Sequence, residues 1–327
     1  MTPPLVIGHR GAPGYRPEHT RSSFLLAIEQ GAQAIEVDVV AAADGVLVVR
    51  HERALRSTTD VADRPEFASR AHRAAGGRRE WFADELTGAE LTTLRGRERL
   101  PGLRPASADH DDREPVLRLT DVLELAATAE VLLVIELKDA TRSAALGLDL
   151  PTLVATELAQ QPRLPRIVFE SFEKTALHAL APLGLPLVYL LDGVGSAADE
   201  RGDGPTYRQE LAEARFDGMR GVSLPTALIT DSRVAALHAT GLQVWTWTLR
   251  PENPFLPAAY RRLDRGSTGD WRAHWNALLD SGVDGVFADH PDLVTGLIAA
   301  RTGAALTRLS APIRLAGTRR PPFTADS

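Results

Sequence analysis

The sequence predicts an α/β protein folded as a closed (β/α)8 barrel with a small insertion after its second strand. Three observations point there. Eight short apolar runs alternate with stretches of helical periodicity over most of the 327 residues, the rhythm of a parallel sheet covered by helices. No Gly-x-Gly-x-x-Gly turn accompanies them, which argues against a doubly wound, dinucleotide-binding sheet. Acidic groups end early runs, the position at which a barrel presents its chemistry.

Residues 5–7 form the first strand, followed by a loop rich in Gly and Pro and a helix over 20–30 with Phe24, Leu25 and Ile28 on one face. The second strand runs over 34–40, with 46–49 as an extension after the Asp44-Gly45 turn. Strands three to eight fall at 131–137, 167–169, 187–191, 221–223, 242–248 and 285–288. Helical stretches at 119–129, 151–161, 173–183, 207–215, 231–240, 271–281 and 291–301 fit between and after them. Asp231 and the Ser171 region supply N-caps, while Gly184, Gly241 and Gly282 stop helices. Residues 52–114, rich in Arg, Asp and Gly with short helical pieces such as 87–95, are too long for an ordinary βα loop. They are expected to form a small cap on the rim that carries the carboxylates. The barrel is thus expected to occupy residues 1–301, and 302–327, with Pro312, Pro321 and Pro322 and no periodicity, to be a disordered tail.

Composition narrows the function. With 44% hydrophobic residues the chain can bury a large core, and a net charge of -6 leaves no electrostatic footprint for nucleic acid. Absence of cysteine removes disulfides, thiolate metal sites and a cysteine nucleophile, so any metal must be held by oxygen or imidazole. No apolar stretch approaches the roughly 20 residues that span a bilayer, so no integral membrane segment is expected. Met1 leads through two prolines into the first strand without an apolar leader, which gives a cytoplasmic expectation. Basic residues are almost all arginine. The only lysines are Lys138 and Lys174, and one directly after a buried strand suggests a place for a compact ammonium that a guanidinium would not fit.

The chemistry-bearing residues stand at strand ends. His9 follows the first strand and His51 the extension of the second, while Glu36 and Asp38 share a face with only Val37 between them. Glu136 ends the third strand, with Lys138 on its face. Buried carboxylates are strongly disfavoured unless paired or coordinated. Glu36, Asp38 and Glu136 would give an all-oxygen pocket for one hard divalent cation, Mg2+ or Ca2+. Arg10 and Lys138 at its edges could bind an anion. A cation, flanking positive groups and two imidazoles match what a phosphodiester needs: one His to take a proton from the nucleophile, the other to protonate the leaving alkoxide.

These residues also carry a resemblance. Gly8-His9-Arg10-Gly11, Pro17-Glu18-His19-Thr20, Glu36-Val37-Asp38-Val39, Asp44-Gly45, His51-Glu52, Ile135-Glu136-Leu137-Lys138, Trp245-Thr246 and the closing 282–292 segment, Gly282-Val283-Asp284-Gly285 through Ala288-Asp289-His290-Pro291-Asp292, resemble the glycerophosphodiester phosphodiesterase family. The resemblance implies a TIM barrel with an insertion after strand 2. The implied reaction is metal-dependent hydrolysis of a small-molecule glycerophosphodiester to sn-glycerol 3-phosphate and an alcohol. Carried over, the acid and base fall on His9 and His51, the metal carboxylates on Glu36, Asp38 and Glu136, the phosphate-binding pair on Arg10 and Lys138, and an ordering role in the first loop on Glu18. Two alternatives use the same barrel: a phospholipase D-type enzyme acting on lysophospholipids, and a catalytically silent binding protein. His19 stands where the family usually has asparagine, and Glu52 where aspartate is common. The loop after strand 7 resembles a longer, often exported branch, which pulls against the cytoplasmic expectation. Among further candidates, Glu170 could hydrogen-bond a substrate hydroxyl, Trp245 and Trp247 could wall the substrate, and Trp81 and Phe82 could close over the mouth or core the cap.

Overall fold

The computed structural model describes residues 3–73, 75–192, 218–264 and 268–303. The helix expected over 207–215 and the tail from 304 onward lie outside them. Strands are β1 (Leu5–Gly8), β2 (Ala34–Ala41), β3 (Leu47–Val49), β4 (His72–Arg73), β5 (Arg79–Glu80), β6 (Leu132–Leu137), β7 (Ile167–Ser171), β8 (Leu187–Leu190), β9 (Gly221–Pro225), β10 (Gln243–Leu249) and β11 (Gly285–Ala288). Helices among the described residues are α1 (Arg21–Glu29), α2 (Gly88–Leu91), α3 (Pro105–Ala108), α4 (Leu119–Ala129), α5 (Ala140–Ala145), α6 (Leu150–Gln160), α7 (Lys174–Leu180), α8 (Asp231–Ala239), α9 (Trp271–Asp280) and α10 (Pro291–Thr302).

β1, β2, β6, β7, β8, β9, β10 and β11 pair in parallel, and β1 bonds both β2 and β11, so the sheet closes into an eight-stranded barrel. β3 folds back antiparallel on β2 after Gly45, whose positive φ of 82° suits the turn. Alternation along the strands divides two cores. Ile35, Val37 and Val39 face the helices, whereas Ala34 packs inside the barrel with Ile7, Val134, Val168, Val188, Trp245 and Phe287. All eight residues of β2 are buried, so the carboxylates in it must find partners within the barrel.

Local chemistry largely follows the sequence, with shifts of a residue or two. Thr20 caps α1 by accepting from Ser23 N, and Gly184, Gly241 and Gly282 all take left-handed φ after helices. Thr230, rather than Asp231, caps α8, because its side chain accepts from Arg233 N at 3.2 Å while Asp231 is already helical. His290 is buried with its ring 4.9 Å from that of Tyr15.

Between β3 and α4 the chain leaves the βα rhythm and builds a cap of short 3-10 turns, the β4–β5 ribbon, α2 and α3. Its core of Leu55, Val61, Phe67, Trp81, Leu86, Leu91 and Leu94 is continuous with Val40 and Val48 of the β2–β3 hairpin. Trp81 is 2% exposed and its indole N–H donates to Phe67 O at 2.7 Å, so it cores the cap and does not close over the mouth. Trp81→Ala should lower stability to urea by about 3–5 kcal/mol through cavity formation. A loss below about 1 kcal/mol would show that the cap core adds nothing to the fold.

Candidate active site

Register decides which strand ends meet. Asp38 is level with Glu136, and Glu136 with Glu170, so three carboxyl groups from β2, β6 and β7 reach one height on the inner wall. Gly8 is level with both Ile35 and Ala288, so the next residues, His9, Glu36 and Asp289, emerge side by side. His9 continues the ladder by donating its N–H to Ala288 O at 3.1 Å. The loop after it turns through positive φ at Arg10, Gly11 and His19, and the Arg10 N–H thereby donates to Glu36 Oε2 at 2.8 Å.

Four carboxylates, Glu36, Asp38, Glu136 and Glu170, lie here at 6% exposure or less. Two cations answer them. Asp38 takes Arg10 Nε at 3.0 Å, Lys138 Nζ at 2.9 Å and His19 Nε2 at 3.2 Å, and Lys138 also reaches Glu136 at 2.5 Å. Burial would raise Asp38, but the charges of Lys138 and Arg10 outweigh it and hold this carboxyl well below its ordinary value. Glu36 is pushed up by burial and by Asp38 and Glu170, and Glu170 by burial and Glu136. For Glu136, burial with the charge of Asp38 outweighs Lys138 and lifts it to about 8. Oxygens of Glu36, Glu136 and Glu170 approach within 4.8 Å of one another, and Glu36 Oε1 and Glu170 Oε2 have no hydrogen-bond partner. Such a trio of hard, buried oxygens, whose crowding favours a proton or a cation among them, fits a divalent cation.

Both histidines are held through Nδ1. His9 Nδ1 lies 2.6 Å from Asp289 Oδ1, and His51 Nδ1 bonds its neighbour Glu52. Burial would raise Asp289, but Arg250 and Arg104 hold it well below its ordinary value, so it is a carboxylate and the Nδ1 of His9 carries the hydrogen. That leaves Nε2 with its lone pair. Burial, reinforced by Arg10, pushes His9 down to about 3 despite Asp289, and burial also lowers His51. Burial would raise Glu52, yet its bonds from His51 and Arg99 bring it to about 2.

His9, Arg10, Glu36, His51, Glu136, Lys138 and Glu170 line one cavity of about 440 Å³, with Phe172, Leu190, Trp247 and Phe255 on its apolar side. Asp38 and Glu18 stand behind this surface. Glu18 bonds Arg10 and Arg99 beneath the first loop. Glu170, read from the sequence as a substrate contact, faces Glu36 and Glu136, the place that Asp38 was expected to take. Trp245 does not reach the mouth. It packs against Phe287 and lines a separate cavity with Leu5, Leu132 and Val188, because period two sets it one layer below Trp247. Asp289, Arg99, Arg104 and Arg250 were missed as functional candidates. Asp289 had a usable signal, since it ends a strand as Glu36 and Glu136 do.

A family model described as "Glycerophosphoryl diester phosphodiesterase family" matches residues 9–293. A glycerophosphodiester phosphodiesterase of Arabidopsis thaliana is 26% identical over 325 residues, covering 88% of this chain and 83% of that one. A crystal structure described as a glycerophosphoryl diester phosphodiesterase from Silicibacter pomeroyi superposes with a TM-score of 0.70 at 27% identity, covering 92% of this chain and 95% of that one. An Oleispira antarctica phosphodiesterase, in complex with the product sn-glycerol-3-phosphate, shares the fold at a TM-score of 0.65 and 22% identity, with 90% and 97% covered.

The raised carboxyls have a consequence for stability. An acid whose folded value is raised binds its proton more tightly folded than unfolded, so its contribution is lost as pH rises from 4.5 toward about 8 for Glu136. His9, His19 and His51 are lowered and work in the opposite direction, but only below their ordinary value of 6.5. Between pH 6.5 and 8, with a chelator present, the thermal midpoint should therefore fall, and Glu136→Gln should flatten the fall. Equal slopes in the two proteins would contradict this reading of the cluster.

Proposed function

The chain belongs to the glycerophosphoryl diester phosphodiesterase family, and on that premise we propose that it hydrolyses glycerophosphodiesters to sn-glycerol 3-phosphate and an alcohol. The observation that carries the reading is the convergence of His9, His51, Arg10, Lys138 and the buried carboxylates on one cavity of about 440 Å³. Enzymes of this family are phosphoric diester hydrolases, and the presence of both histidines on the cavity wall supports an acid–base role for them.

Glu36, Glu136 and Glu170 would hold a divalent cation, Mg2+ or Ca2+, with Asp38 alongside. When bound, it supplies Lewis-acid neutralisation of charge on a phosphate oxygen. Arg10 and Lys138 bring N–H donors to the same anion from beside the cluster. Their charges are already engaged by Asp38, so the cavity need not attract them from solvent as the phosphate enters. One histidine accepts at Nε2 the proton of the nucleophile. The other, entering the step as an imidazolium whose Nδ1–H is held by its carboxylate, gives its Nε2 proton to the departing alkoxide. The one water consumed per cycle supplies the new oxygen and hydrogen of the products. The apolar side formed by Phe172, Leu190, Trp247 and Phe255 excludes water from the carbon skeleton.

Turnover of a panel of glycerophosphodiesters should require Mg2+ or Ca2+ and stop with chelator. His9→Ala and Glu136→Ala should each lose about 10²–10⁴-fold in kcat. Activity that ignores the chelator, or full activity in either variant, would overturn the mechanism. In calorimetry without substrate, Glu170→Gln should weaken cation binding by at least about tenfold. If only Asp38→Asn does so, Asp38 and not Glu170 is the ligand.

A further inference from the structure

Behind each histidine stands a carboxylate, and behind each carboxylate an arginine from the cap. On one side His9 Nδ1 contacts Asp289 at 2.6 Å, and the other oxygen of Asp289 accepts from Arg104 Nη2 at 2.6 Å and Arg250 Nε at 2.7 Å. Arg104 Nε in turn donates to Glu252 at 2.6 Å. On the other side His51 bonds Glu52, which accepts from both terminal nitrogens of Arg99 at 2.8 and 3.1 Å. Arg99 also donates to both oxygens of Glu18, at 2.9 and 2.6 Å. The two arginines belong to a single turn. Leu103 N and Arg104 N both donate to Leu100 O at 2.8 Å, and Glu98, 4% exposed, holds the turn from below by accepting from Leu100 N at 2.8 Å and Ser107 Oγ at 2.6 Å.

We propose that this turn of the cap is a positioning element for both imidazoles, acting through Arg99 on Glu52 and His51 and through Arg104 on Asp289 and His9. The inference rests on the phosphodiesterase reading above. Arg104 is 6% exposed and is not part of the cavity wall, so its route to the chemistry is through Asp289. Arg99 grips both oxygens of Glu52, and Arg104 together with Arg250 pins one oxygen of Asp289 while the other meets His9; a carboxylate so held sets the tautomer and ring plane of its histidine. Arg99 touches the cavity as well, so direct substrate binding is the competing role that a test must separate.

Arg99→Met and Arg104→Met, with the corresponding lysine variants, are compared with wild type on two diesters of glycerol 3-phosphate, one releasing ethanolamine and one p-nitrophenol. An alkoxide must be protonated as it leaves, whereas nitrophenolate need not be. Release of the alcohol is followed in a single turnover at saturating Mg2+, together with the half-saturating substrate concentration and the rise in thermal midpoint that Mg2+ produces. Both methionine variants should release ethanolamine about 10–100-fold more slowly, with half-saturation within about threefold of wild type and the Mg2+ response kept. Only one of them should recover on the nitrophenyl diester, and lysine should restore part of the rate in both. The variant that recovers identifies the histidine that donates to the leaving group. Unchanged ethanolamine release in either variant overturns the proposal, as does an equal loss on both diesters in both variants. Raised half-saturation with an intact rate in Arg99→Met makes Arg99 a substrate contact and overturns its positioning role. Inactive wild type overturns the phosphodiesterase reading itself, while active wild type with indifferent variants overturns this inference alone. If a methionine variant does not fold, Glu252→Gln on the Arg104 side and Arg99→Lys on the other carry the same comparison.

Discussion

Four carboxylates buried at one end of an apolar barrel, with Arg10 and Lys138 as the cations that pair with them among the described residues, set the terms for the rest of the molecule. Charge in such a place is tolerated only where it is paired or where something else is to be bound. Arg10 and Lys138 both engage Asp38 and Lys138 also reaches Glu136, while Glu36 and Glu170 each keep a buried oxygen without a hydrogen-bond partner. Much of the surrounding backbone is shaped to that end. The positive φ values of Arg10, Gly11 and His19 fold the first loop so that the Arg10 amide reaches Glu36 while the His19 ring reaches Asp38. Without the carboxylates, that loop would have no reason to hold so many residues in a sparsely populated conformation.

The skewed use of basic residues fits this division. Lys138 is a point charge that lies between Asp38 and Glu136 and 5.7 Å from the Phe172 ring, a space bounded on two sides by carboxylates. Arginine serves where two carboxylates must be held at once in fixed planes, as Arg99 holds Glu18 and Glu52, and Arg104 holds Glu252 and Asp289. A cap attached by such forks is oriented by them. Its apolar core, shared with Val40 and Val48, supplies cohesion instead.

Alternation along strands made much of this legible in the sequence. Period two placed Glu36 with Asp38 and Glu136 with Lys138, and the alternation of apolar runs with helical stretches gave the barrel. Relative height was not legible, because it depends on the stagger of strands around the barrel, which no single segment encodes. Hence Trp245 was read as walling the substrate although it lies a layer below, and Glu170 was read as a partner of a substrate hydroxyl although register sets it level with Glu136. Partners contributed by irregular segments were hidden more completely. Arg104 and Asp289 are separated by 185 residues, and nothing near either one signals the other.

The point of insertion has its own logic. β3 returns the chain antiparallel along β2, and Arg50 N still bonds Asp38 O at 2.9 Å, so the chain leaves the barrel at His51, beside the carboxylates. A cap starting there begins with one imidazole already at its root. The other imidazole hangs from β1 and is level with the end of β11, on the opposite flank from β6. β1 lies between β2 and β11, so the two anchors of the turn that carries Arg99 and Arg104, Glu52 and Asp289, stand on successive sectors of the rim. The insertion point therefore lets one turn of the cap reach the carboxylates that contact both imidazoles, Glu52 at the root of the cap and Asp289 at the end of β11.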